Sequence, residues 1–151
     1  MEEGIEELFG SGVVFPSTFF KVMLVPAVAR QGQWNYAGKL VAEALDVVER
    51  TQERWCEAEV LRLQGDLALQ QYGSDAAAET EALFRRSIDV ARAQEAKLWE
   101  LRSTVSLGRL WHDQGKMTEA HNLLVPVYEW FTEGFDTPDL IEAKALLEEL
   151  S

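Results

Sequence analysis

The chain carries 14 Lys and Arg against 26 Asp and Glu over 151 residues, a formal charge of −12. A length of this order supports one domain that buries roughly 70% of its unfolded surface. The acidic surplus repels phosphate backbones and anionic lipid, so no nucleic acid and no membrane surface is expected as a partner. Cys56 is the single cysteine; it rules out an internal disulfide and a multi-cysteine zinc site, fits a reducing, cytoplasmic setting, and reads as a buried inert thiol.

In chain order, residues 1–12 read as the remnant of a preceding helix. From Gly12 to Ala29, "GVVFPSTFFKVMLVPAVA", the only charge is Lys21. Two prolines and a Ser-Thr pair interrupt this run, and the acidic residues before it are unlike a signal peptide, so neither a membrane span nor a leader is inferred. Its apolar surface exceeds what an exposed helix carries, which points to cover by a neighbour or a second copy. Val14, Phe15, Phe19, Phe20, Met23 and Leu24 are therefore the candidate self-association residues, and a homodimer is the expected assembly. Pro26 predicts a kink or break near Val25, because an internal proline costs a helix about 3 kcal/mol.

Beyond Gly32 the apolar positions recur at threes and fours: Ala37, Leu40, Val41, Ala44, Leu45 and Val48 form one stripe. The same period runs through "WCEAEVLRLQGDLAL", "AETEALFRRSIDVARAQ", "LWELRSTVSLGRLWHDQ" and "TEAHNLLVPVYEWF". Breaks fall at Gly32, at "YGSD" (72–75), at Gly115 and at "GFDTPD" (134–139), where Thr137 is placed to cap a final helix begun by Pro138. That helix shows a stripe of Leu140, Ala143, Leu147 and Leu150.

The segments come in pairs. Leu107, Gly108 and Trp111 precede the Gly115 bend, and Ala120 and Leu124 follow it. This is the spacing of a tetratricopeptide repeat, where a small residue at the first helix's midpoint lets the second helix approach. A second copy sets Leu61 and Gly65 against Thr80, Phe84 and Ser87. A third has Gly32 at its bend, with Ala37, Val41 and Ala44 beyond. The expected fold is all-α: one right-handed superhelical stack of helical hairpins over 1–151, with a divergent first repeat (13–51), a second (55–95), a third (97–132) and a C-terminal capping helix (137–151). The stretch from about residue 30 to 151, and "GFDTPDLIEAKALLEEL" above all, resembles the C-terminal repeat region of large bacterial signalling proteins, in which a cyclase-like or DNA-binding domain and a predicted ATPase domain come first. The resemblance implies a scaffolding or sensory segment, with the catalytic chemistry in domains not represented here.

Catalytic signatures are wanting. His112 and His121 lie on opposite sides of the Gly115 bend without the further ligands that zinc asks for, and "GSG" at 10–12 lacks the residues of a phosphate loop. No enzyme activity, cofactor or metal is expected. Trp55, Trp99, Trp111 and Trp130 read as core-filling rings; Trp34, in the short connection after Gly32, reads as packed on the next repeat, with partial exposure as the alternative. Residues displaced from the packed stripe of the first helices point to the concave side of such a stack: Glu59, Arg62, Asp66 and Leu69, then Arg102, Val105, Arg109 and His112. They form either a groove that clamps a peptide carboxylate or a row whose members pair with one another. The expected function is a non-catalytic module for protein interaction or self-association. The alternative is a sensor that binds a small effector inside the superhelix.

Overall fold

The computed structural model describes residues 17–51 and 54–151, with side chains from Lys21 onward in the first helix. The remnant helix, Val14 and Phe15 lie outside the described residues, and Phe19 and Phe20 are described in backbone only. Every regular element is helical, and no helix is long and apolar enough to cross a membrane among the described residues. The chain divides into two compact units, Met1–Cys56 and Glu57–Ser151.

The first unit is a hairpin of α1 (Ser17–Arg30) and α2 (Trp34–Thr51). Val22, Val25, Val28 and Ala29 are buried on α1, and Ala37, Leu40, Val41, Ala44 and Val48 on α2, each set spaced at threes and fours. Of the kink or break expected near Val25, a break does not occur: α1 is one helix from Ser17 to Arg30 with Pro26 inside it. Val25 and Val28 flank the proline and are almost fully buried; packing against α2 holds the turn that the ring alone would disfavour. The hairpin closes at Gly32 (φ +76°), where the Gln33 amide bonds the Val28 carbonyl at 3.2 Å. Lys21 of α1 pairs with Glu43 of α2 at 2.9 Å.

The second unit holds α3 (Glu57–Tyr72), a 3₁₀ turn (Gly73–Ala76), α4 (Ala77–Ala93), α5 (Lys97–Asp113), α6 (Met117–Glu129) and α7 (Pro138–Leu150). Each helix packs on the next, and α5 also touches α3 and α7. The α5–α6 bend repeats the geometry at Gly32: Gly115 is left-handed, and the Lys116 amide reaches the Trp111 carbonyl at 2.8 Å. The α4–α5 bend does the same without a glycine. Glu95 takes φ +56°, and Ala96 bonds Ala91 at 2.9 Å. Sequence reading had no signal there, because the left-handed residue is one that usually avoids that region.

Two helical glycines leave room for large side chains of neighbouring helices. A Cβ on Gly65 would lie 2.7 Å from Cε1 of the fully buried Phe84 on α4. Gly108 serves a different neighbour from the one expected: a Cβ there would meet Leu146 of α7, and nothing of α6. The buried stripe of α7 is Leu140, Ala143, Leu146 and Leu150, with Leu147 only half-buried. Ser103 and Ser87 are within 2.5 Å, and Ser87 bonds the Ala58 carbonyl. Since the Ser87 proton goes to Ala58, Ser103 is the donor to Ser87, and one buried chain of hydroxyls joins α3, α4 and α5.

Candidate functional site

Four of the expected groove residues, Glu59, Arg62, Asp66 and Arg102, come together between α3 and α5 and bind one another, while Arg109 and His112 pair with other residues. Arg62 Nε donates to Glu59 at 3.1 Å, and its Nη1 donates to Asp66 at 2.7 Å. Arg102 Nη1 lies 3.4 Å from the same Glu59, while its Nε donates to Asp139 of α7 at 3.0 Å. Arg109 Nε donates to Glu142 of α7 at 3.2 Å. His112 faces Asp113 at 3.4 Å. Val105 is buried and belongs to the core, and Leu69 is half-buried, so neither lines an open groove.

This ladder has a definite electrostatic state. Glu59 is only 5% exposed, held between two guanidinium groups. Burial raises the Asp66 carboxyl to about 6; Arg62 pulls it down, while Glu59 and Glu142 push it further up. Both basic residues expected to clamp a partner's carboxylate already hold carboxylates from α7. Asp139 and Glu142 were the residues that sequence reading missed. No sequence signal marked them, because it is the packing of α7 against α5 that brings these two carboxylates to Arg102 and Arg109.

A second feature lies at the corner formed by the start of α5 and the α6–α7 connection. Leu98, Trp130, Phe131, Gly134, Thr137 and Leu140 line a cavity of about 450 Å³, with Glu133 beside them. The connection is shaped locally. Gly134 takes φ +78° and Pro138 starts α7, but Thr137 does not cap that helix with its side chain. Its hydroxyl donates back to the Gly134 carbonyl at 2.6 Å and pins the turn instead. Phe131 packs edge-on to Trp130 at 5.2 Å, and Phe135 tilts over Tyr128 at 5.8 Å. Trp130 is not the core ring that was expected: it is 56% exposed, with Leu98 at 41% and Phe135 at 46%. Trp55 likewise is exposed and lies ahead of α3, whereas Trp111 is buried and Trp99 and Trp34 are half-buried. Lys97 Nζ sits 5.5 Å from the Trp130 ring centre and 3.6 Å from the buried Glu100.

Of the expected self-association residues, Met23 is 60% exposed on α1 and Leu24 is half-buried. Among the described residues no group of three or more His, Cys, Asp and Glu is placed to hold a metal ion. Comparison with known proteins found no matching family model and no matching curated protein.

Proposed function

We propose that the chain is a non-catalytic, tetratricopeptide-like repeat module that holds a protein partner or a second copy of itself, in the cytoplasm, as a regulatory piece of a bacterial signalling protein of the kind its sequence resembles. One observation carries this reading. The charged face is paired within the chain, while Leu98, Trp130 and Phe135 leave large apolar side chains exposed around a cavity at one corner. Exposed aromatic rings of this kind are what interfaces bury. The groove over α3 and α5 is the weaker candidate, since a partner carboxylate there has to displace Asp139 or Glu142.

The test is site-specific photo-crosslinking in cells, with the reactive group placed at Leu98 or, separately, at the exposed Asp113 near the far end of α5. The expected result is a discrete protein adduct from Leu98, absent from Asp113 and lost with Trp130→Ala. Equal adducts at both places, or none at either, removes the reading. An adduct containing a second copy of the chain identifies the homodimer, which light scattering then sizes.

A further inference from the structure

The connection that forms the apolar corner also carries the wrong charge for an acidic partner. From Tyr128 to Asp139 the sequence is "YEWFTEGFDTPD", with Glu129, Glu133, Asp136 and Asp139 and no Lys or Arg. Asp139 is taken by Arg102. Glu129, Glu133 and Asp136 are exposed and have no ion-pair partner among the described residues. Lys97 does not reverse the balance, because its charge faces the buried Glu100 and the Trp130 ring. Glu100 is in turn approached by Arg92 of α4 at 3.4 Å.

Resting on the interaction reading above, we propose that this pocket seats an aliphatic or aromatic side chain from a cationic peptide segment, whose Lys or Arg residues meet the exposed carboxylates of Glu129, Glu133 and Asp136. Three features fit that occupant together. The cavity of about 450 Å³ is large enough for one large side chain. Its walls are Leu98, Trp130, Phe131 and Leu140, which reward burial of apolar area. The unpaired charges on the connection, Glu129, Glu133 and Asp136, are all negative, so they favour a cationic segment over an acidic one, in line with the chain's net charge of −12.

The proposal is tested with the full chain and two fluorescein-labelled amphipathic peptides, one of Leu and Lys and one of Leu and Glu, followed by anisotropy. The Lys peptide is expected to bind, with affinity falling severalfold as NaCl is raised. Trp130→Ala and the pair Glu133→Lys/Asp136→Lys are each expected to weaken it about tenfold or more. Glu148→Lys/Glu149→Lys, which changes net charge equally at the other end of α7, is expected to leave it nearly unchanged. All these positions are exposed or half-open, and circular dichroism checks that each variant keeps its helix content. Equal loss in both charge-reversed pairs reduces the effect to net charge and overturns the proposal. So does binding that ignores Trp130→Ala, or no binding of the Lys peptide. If the Glu peptide binds better, or if the crosslinked partner proves acidic at its contact, the cationic assignment falls while the interaction module stands.

Discussion

Two glycines show how one residue type takes opposite roles. Gly65 of α3 makes room for the ring of Phe84 on α4, and that ring, which a methyl would strike, has no exposed side to swing toward. Gly65→Ala gains helix propensity, up to about 1 kcal/mol, but overpacks a filled interface at a cost of about 1–3 kcal/mol; the second effect wins. Gly38, inside α2, has nothing within 4 Å of a built Cβ. Gly38→Ala therefore keeps the propensity gain and is expected to stabilise by about 0.5–1 kcal/mol. Urea denaturation of the two variants measures both signs. The midpoint spacing picked out Gly65 and Gly108 from sequence, since a small residue there recurs. Which helix each one admits was not legible: Gly108 makes room for Leu146, whose distance along the chain the repeat pattern does not encode.

At the scale of elements, the ladder joining α3, α5 and α7 couples stability to pH through Asp66. Its folded value of about 6 lies above the 3.8 of an unperturbed Asp, with burial as the chief cause. The folded chain thus keeps a proton that the unfolded chain has lost between about pH 4 and 6. Asp66's contribution is most favourable below about pH 4 and declines as pH rises through 6, after which an ionised, half-buried carboxylate remains as a cost. That cost is on the order of 1–2 kcal/mol once partial solvation is allowed for. Asp66→Asn is expected to raise stability by about that amount at pH 8 and to change little at pH 4, when both proteins are melted in parallel. A variant less stable than the parent at pH 8 shows instead that the pairing with Arg62 outweighs burial. The charged residues of this ladder on α3 and α5 were visible in sequence as a stripe displaced from the core. Their partners on α7 were not, because pairing across helices depends on how far each helix slides along the next.

For the whole molecule, the surplus of carboxylates acts against compactness. Repulsion among charges spread over the surface is long-ranged and is screened within about 10 Å at 0.1 M salt. Arg62–Asp66 and Arg102–Asp139, in contact and partly buried, are screened far less. Raising NaCl from low to moderate concentration is therefore expected to raise the melting temperature by a few degrees. A fall means that the short-range pairs dominate. The same charge biases what can approach: it disfavours anions overall, and cations find unpaired acids beside the exposed ring of Trp130.

The sequence by itself determined the helices, most of their buried positions and the bends at Gly32 and Gly115, because apolar spacing and glycine conformation act over a few residues; Leu45 and Leu147, read as core, are only half-buried, and Leu146 takes the place on α7. It also set the sign of the field around the protein. Tertiary structure alone decided that α1 runs through Pro26, that Glu95 turns the chain without a glycine, and that Arg102 and Arg109 are held by α7. It also placed Trp130 in the open. In each case the outcome depends on which surfaces meet after the helices pack, and local propensity carries no record of that.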